Sequence, residues 1–136
     1  MRLQGYDYAA EGYYFLTICT KDRKPVLSEI IYGSECAAVR LTDYGKVAEN
    51  YVKTIPGIEK YVIMPNHIHL IIHKTNGKSI VSDVRSLKGL TTKAIGVCIW
   101  QDTYYDHIIR NEKDYLEKWK YIDENPAKWA EDEYNA

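Results

Sequence analysis

Two apolar runs separated by Pro65-Asn66 constrain the fold of this chain more than any other feature. The residues of 59–64 and 67–74 include many Ile and Val side chains, which favour β-strands. A Pro-Asn pair between two such runs predicts a tight turn. The sequence therefore predicts an antiparallel hairpin over 59–74.

Two histidines, His67 and His69, stand one residue apart in the second strand of this hairpin. Successive side chains of a strand point to opposite faces, so both imidazoles share a face while Ile68 points to the other. Two neutral imidazoles side by side on a rigid strand are half of a metal site. The short pattern equally fits two unrelated histidines on a solvated sheet face.

The rest of the chain alternates between strand and helix signals. In chain order the sequence predicts a strand over 13–20, a helix from Thr42-Asp43 to about Ile55, the hairpin, a helix over 83–98, a strand within 100–110, and a final helix capped by Asn111 and ended by Asn125-Pro126. This β-α-β-β-α-β-α order is typical of an α+β ferredoxin-like (RRM-like) sandwich, an antiparallel sheet with helices packed on it. A length of 136 residues predicts one domain, 1–136.

The final helix carries two candidate chemical groups. Tyr121 and Asn125 are four residues apart and therefore lie on one helical face. A phenol can attack phosphorus once its proton is removed, and an amide oxygen is a hard ligand that Mg²⁺ or Mn²⁺ accepts. Helix packing across the histidine face would let Asn125 complete a three-ligand site. Taken alone, Asn125-Pro126 also fits a helix stop, and Tyr121 also fits a core aromatic.

Composition excludes several classes of protein. No run approaches the ~18 apolar residues of a membrane span, and no signal-peptide pattern is visible. Three widely spaced cysteines predict reduced thiols and a cytoplasmic location.

The net charge of −1 gives no sign of nucleic-acid binding by itself, but positive charge is concentrated locally. Such clusters can bind phosphate, although a solvated face is the commoner explanation. The candidate DNA-binding residues are Arg23, Lys24, Lys74, Lys78, Arg85 and Lys88.

Several segments together resemble one family. They are Gly5-Tyr6-Asp7-Tyr8, Tyr14-Phe15-Leu16-Thr17-Ile18-Cys19-Thr20, Tyr61-Val62-Ile63-Met64-Pro65-Asn66-His67-Ile68-His69, Trp100-Gln101, Tyr104-Tyr105-Asp106-His107-Ile108-Ile109-Arg110-Asn111-Glu112 and Tyr121-Ile122-Asp123-Glu124-Asn125-Pro126. Their kind and order, over nearly the whole chain, resemble the REP-associated tyrosine transposases, a branch of the single-tyrosine HUH transposases of bacterial insertion sequences. The near-neutral net charge departs from the basic character usual in DNA-processing proteins.

The resemblance implies a chemistry and a set of roles. It implies that Tyr121 is the nucleophile and that His67, His69 and Asn125 hold a divalent metal, Mg²⁺ or Mn²⁺. The implied reaction is cleavage and rejoining of single-stranded, hairpin-forming DNA through a 5′-phosphotyrosine, with a possible homodimer. Tyr104 and Tyr105 could stack on bases, and His107 could be a further ligand or a structural residue. A domesticated DNA nickase and a non-catalytic single-stranded nucleic-acid-binding module remain the alternatives.

Overall fold

Four antiparallel strands form the main sheet of the protein. The computed structural model describes residues 12–33, 36–74, 80–132 and 134. The strands are β1 (Tyr13–Cys19), β4 (Ile58–Ile63), β5 (His67–His73) and β6 (Tyr105–Ile108), in the spatial order β4-β5-β1-β6. The central strand β5 is buried along almost its whole length, in agreement with its apolar sequence.

A second, two-stranded ribbon joins β2 (Ser28–Tyr32) to β3 (Ala37–Leu41). Without this ribbon, the main strands have the chain order and pairing of a ferredoxin-like sheet. The α+β sandwich is therefore confirmed.

The predicted hairpin is present, and Pro65-Asn66 forms its turn. The Met64 amide donates to the carbonyl of His67 at 2.8 Å, which closes the turn. Ile63 lies opposite Ile68 in the register. The pairing fixes which side chains of β5 face each side of the sheet.

Three α-helices cover the two faces of the sheet. They are α1 (Asp43–Val52), α2 (Ile80–Ile95) and α3 (Glu112–Glu124). Helices α1 and α2 share one apolar core with the even-numbered residues of β5, such as Ile68 and Leu70. Helix α3 shares a smaller core with Tyr13 and Ile71 on the opposite face.

Two helix starts follow from local capping, as the sequence predicts. The Thr42 hydroxyl accepts a hydrogen bond from the Gly45 amide at 3.1 Å, and Asn111 Oδ1 accepts from the Asp114 amide at 2.8 Å. Both side chains thus satisfy amides that have no partner within their own helix.

Some boundaries differ from the prediction. The β2–β3 ribbon was not predicted, because its short strands are largely exposed and contain Ala, Glu and Arg, which carry little strand signal. Helix α2 begins at Ile80 and ends at Ile95, not at 83 and 98. Strand β6 is shorter than 100–110, and Trp100 forms only an isolated bridge with Thr20.

Two further expectations concern membrane-spanning helices and the state of the cysteines. Among the described residues, no helix combines the length and the apolar character that crossing a membrane requires. Cys19, Cys36 and Cys98 are free thiols, as their spacing predicts.

Replacing either of two helical glycines by alanine should change the stability of the protein, in opposite directions. A Cβ at Gly45 in α1 would overlap the backbone carbonyl of Leu27, whereas a Cβ at Gly89 in α2 meets no described atom within 4 Å. We expect Gly45→Ala to lower the free energy of unfolding by about 1–3 kcal/mol through overpacking. Gly89→Ala should raise it by about 0.5–1 kcal/mol, because alanine loses less backbone entropy in a helix. Urea denaturation of both variants checks this, and equal shifts of the same sign would contradict the packing described.

Candidate active site

The pairing of β1 with β5 places both histidines on the sheet face that α3 covers. Thr17 lies opposite His69, and Cys19 lies opposite His67. Both imidazoles are buried, with 0% and 1% of their surface exposed, and their ring centroids are 4.6 Å apart. They are therefore neighbours beneath the surface, not independent groups on a solvated face.

One nitrogen of each imidazole is held by a neighbouring polar side chain. His67 Nδ1 lies 2.8 Å from Asn66 Oδ1, and His69 Nδ1 lies 2.9 Å from Thr17 Oγ1. The two Nε2 atoms are buried and have no hydrogen-bond partner among the described residues. Metal-binding histidines commonly show this arrangement, in which a second polar group orients the ring by the nitrogen that does not bind metal.

Helix α3 brings Tyr121 and Asn125 to the same place. The ring of Tyr121 lies 5.2 Å from that of His69, and 39% of the Tyr121 surface is exposed. Asn125 follows the last turn of the helix and is 2% exposed; its Oδ1 is also buried without a hydrogen-bond partner in the described chain. Both residues line a cleft of about 270 Å³ with Lys128, Glu131 and Asp132.

Polar contacts hold α3 in position on the sheet. Lys60 of β4 forms an ion pair with Asp123 at 2.7 Å and lies 4.2 Å from the centre of the Trp119 ring. The Tyr115 hydroxyl donates to Glu59 Oε1 at 2.5 Å. These contacts from β4 constrain the angle at which α3 crosses the sheet, and therefore the position of Tyr121.

The C-terminal segment covers the histidines. The Tyr134 ring lies 4.4 Å from that of His67, and the Trp129 ring lies 6.1 Å from it. The Asn66 amide also donates to the Tyr134 carbonyl at 2.6 Å. Sequence reasoning missed the site positions of Thr17, Asn66 and Tyr134, although the place of Asn66 directly before His67 was a signal available in the sequence.

Burial keeps both imidazoles neutral. Desolvation lowers the pKa of His67 from 6.5 to about 4; the protonated ring would gain a hydrogen bond to the Asn125 side chain, which opposes this shift, and the charge of Arg23 adds to it. The pKa of His69 is also lowered well below 6.5, first by burial and then by the neighbouring His67. At neutral pH both rings can therefore act as lone-pair donors.

Three side chains of the site present atoms of the kind that bind metal ions. Three buried lone-pair carriers, His67 Nε2, His69 Nε2 and Asn125 Oδ1, belong to neighbouring side chains and have no donor among the described residues. The described part of the chain has no cluster of three or more His, Cys, Asp or Glu side chains that could hold a metal. Imidazole nitrogens and amide oxygens are both ligand types that Mg²⁺ or Mn²⁺ accepts. Because all three groups are neutral, they would not balance the charge of the ion, and further oxygen ligands would be needed. The three atoms are therefore of types that fit a divalent ion.

The predicted DNA-binding residues fall in separate places. Arg23 and Lys24 are exposed at the turn after β1, and the Arg23 guanidinium lies 5.1 Å from the centre of the Tyr134 ring. Arg85 and Lys88 line a groove of about 510 Å³ beside Tyr104. Arg23 is the member of this set that lies nearest the histidines in the described contacts.

The remaining two predicted DNA-binding residues are Lys74 and Lys78. The Lys74 side chain is only 6% exposed and forms an ion pair with Asp83 at 2.8 Å. Its charge is neutralised beneath the surface, so the expectation of a DNA contact from Lys74 is not supported by its position. Lys78, like the segment Gly5–Tyr8, lies outside the described residues.

The remaining aromatic and histidine candidates also have defined positions. Tyr105 on the edge strand β6 is 59% exposed, whereas Tyr104 packs partly against the larger core. His107 Nε2 lies 2.6 Å from Asp114 Oδ2, which joins β6 to α3. His107 therefore has a structural partner away from the His67–His69 pair.

Comparisons with known proteins identify similar chains. No family model matches the chain. An uncharacterized protein of Haemophilus influenzae is 34% identical over 166 residues, which cover 98% of this chain and 90% of that protein. A REP-associated tyrosine transposase of Escherichia coli is 30% identical over 123 residues, covering 89% and 70%. A solved structure of a REP-associated tyrosine transposase bound to a REP hairpin matches with a TM-score of 0.68 and 28% identity, covering 95% of this chain and 74% of the other.

The buried, neutral His67 predicts a pH dependence of stability in the metal-free protein. Its pKa is about 4 in the folded chain and 6.5 as the ordinary value, so the unfolded chain binds the extra proton more readily. The stabilisation is complete above pH 6.5 and is lost as the pH falls towards 4, by up to about 3 kcal/mol. Urea denaturation between pH 7 and 4 should show a steeper loss for the wild type than for His67→Gln. Equal slopes would mean that His67 is not buried in its neutral form.

Proposed function

This chain belongs to the family of REP-associated tyrosine transposases, and from that premise we propose that it cleaves and rejoins single-stranded DNA by means of Tyr121. One observation carries the proposal. The partly exposed ring of Tyr121 lies beside His69, one of three side chains that bury an unpaired nitrogen or oxygen atom within the same chain. A nucleophile next to a cation site is what phosphoryl transfer requires.

Tyr121 is the proposed nucleophile because its ring is accessible from the cleft. Its oxygen attacks the phosphorus of a DNA phosphodiester, a bond from phosphorus to the tyrosine oxygen forms, and the bond to the 3′-oxygen breaks. The phenol proton leaves, and the departing 3′-oxygen takes up a proton. The product is a 5′-phosphotyrosine, and attack by another 3′-hydroxyl reverses these steps, so one ester is exchanged for another at little cost in free energy.

His67, His69 and Asn125 would hold the divalent metal ion. When bound, such an ion supplies Lewis-acid stabilisation of the charge that develops on the phosphate oxygens. These three ligands are neutral, because burial lowers the pKa of both histidines and the amide of Asn125 carries no charge. Neutral ligands leave the positive charge of the ion uncompensated, which favours an anionic substrate.

DNA is the proposed partner, in agreement with the hairpin bound by the structural neighbour. Arg23, which lies 5.1 Å from the Tyr134 ring, and the exposed Lys24 beside it in the chain would contact phosphates, and Arg85 and Lys88, which line a second groove, would add another cationic surface. Tyr105 is exposed enough to stack on an unpaired base. A binding module that uses its open sheet face, as RNA-binding platforms do, is less consistent with this chain, because α3 packs on that face.

The nucleophile is tested by Tyr121→Phe, which removes one hydroxyl and keeps the ring. We expect strand cleavage to fall below detection while the free energy of unfolding changes by less than about 1 kcal/mol, because the side chain is partly exposed. The measurement is a denaturing gel of single-stranded hairpin DNA, labelled at either end and incubated with Mn²⁺. A covalent species that carries the downstream strand should form with the wild type.

Tyr115→Phe is the matched control on the same helix. Its hydroxyl is bound to Glu59, so this variant should still form the covalent species. Cleavage by Tyr121→Phe but not by Tyr115→Phe would transfer the role of nucleophile to Tyr115 and contradict the proposal.

The metal is tested by chelation and by ligand removal. His67→Ala or His69→Ala should abolish cleavage and weaken Mn²⁺ binding by at least about 10–100-fold, whereas Asn125→Ala should have a smaller effect because water can replace one neutral oxygen. His107→Ala, outside the site, should behave as the wild type. Chelation should stop cleavage without unfolding the protein, because the site lies on an already packed sheet. Undiminished cleavage in excess chelator would exclude this mechanism.

A further inference from the structure

The side chain of Asn66 lies between the candidate metal ligand His67 and two backbone segments. It is 2% exposed, so its polar atoms must be satisfied by the protein. Asn66 Nδ2 lies 2.6 Å from the Tyr134 carbonyl oxygen and 3.3 Å from that of Arg23. Carbonyl oxygens only accept hydrogen bonds, so the NH₂ group of the amide must face them.

This orientation leaves the amide oxygen facing His67. Asn66 Oδ1 lies 2.8 Å from His67 Nδ1. An amide oxygen can accept but cannot donate, so the hydrogen of this contact belongs to the imidazole. A neutral imidazole carries a single ring hydrogen, and placing it on Nδ1 leaves a lone pair on Nε2.

His67 Nε2 is the nitrogen that would bind the metal ion. It is buried and without a hydrogen-bond partner among the described residues, and the same holds for Oδ1 of Asn125. A hydrogen on Nε2 would allow His67 to donate to an acceptor such as Asn125. With the hydrogen on Nδ1, His67 Nε2 and Asn125 Oδ1 present only lone pairs. Neither atom then has a hydrogen to donate to the other, but a cation can bind both.

We propose that Asn66 is the positioning residue of the metal site: two backbone carbonyls orient its amide, and the amide fixes the hydrogen of His67 on Nδ1 so that Nε2 is available to the ion. This inference rests on the metal site of the proposed function. It also assigns a reason for an amide directly before the first histidine. A side chain that could donate at this position would permit the other tautomer.

The tautomer can be measured in the metal-free protein, independently of activity. Long-range ¹H–¹⁵N correlation spectra at pH 7.5 should show His67 with its hydrogen on Nδ1. In Asn66→Ala the population should move towards hydrogen on Nε2, and the affinity for Mn²⁺, measured by calorimetry, should fall about 10–100-fold.

Thr17→Val is the matched control, because it removes the corresponding contact at His69 and leaves Asn66 in place. It should not alter the tautomer of His67. A wild-type His67 with its hydrogen on Nε2 would overturn the proposal, as would Asn66→Ala with an unchanged tautomer and unchanged Mn²⁺ affinity. If Asn66→Ala fails to fold, the tautomer of His67 in the wild-type protein still tests the proposal.

The two proposals fail in different ways. A wild-type protein that shows the Nδ1 hydrogen but does not bind Mn²⁺ supports the orientation by Asn66 and contradicts the metal site. A protein that binds Mn²⁺ with the Nε2 hydrogen in its metal-free form supports the metal site and contradicts the role of Asn66.

Discussion

The antiparallel pairing of β1 with β5 is the interaction on which the site depends. It sets Thr17 beside His69 and directs both imidazoles to the face that α3 covers. The alternate residues of β5, such as Ile68, enter the larger core. A slip of one residue would exchange the two faces and place the imidazoles among the aliphatic side chains of that core. The apolar packing that stabilises the sheet thus also fixes the direction of the histidines.

The chemistry of the site comes from burying polar atoms that the fold does not satisfy. A buried acceptor without a donor costs about 1–3 kcal/mol, and three such atoms lie on His67, His69 and Asn125. Thr17 and Asn66, buried beside the two histidines, are paired, whereas His73 Nε2, farther along β5, is also buried without a hydrogen-bond partner in the described chain. A ligand that carries positive charge would satisfy the three atoms of His67, His69 and Asn125 at once.

Most strands and helices of the main sheet and its covering layer could be predicted from the sequence. Apolar residues recur every second residue in a half-buried strand and about every 3.6 residues in a helix, so their spacing indicates which face is buried. The hairpin over 59–74 and the caps at Thr42 and Asn111 follow from local chemistry. The β2–β3 ribbon could not be predicted, because its strands are stabilised by pairing and not by an apolar pattern. Position in space was also decisive for Lys74: its positive charge is visible in the sequence, but its burial against Asp83 is a tertiary property.

The central claim is that three atoms of this chain, His67 Nε2, His69 Nε2 and Asn125 Oδ1, share one metal ion beside Tyr121. The most direct measurement is a crystal structure of the protein with Mn²⁺, in which anomalous scattering locates the ion without reference to activity. We expect one strong anomalous peak at about 2.1–2.3 Å from all three atoms. An ion bound away from the histidines, or no peak between them at saturating Mn²⁺, would contradict it.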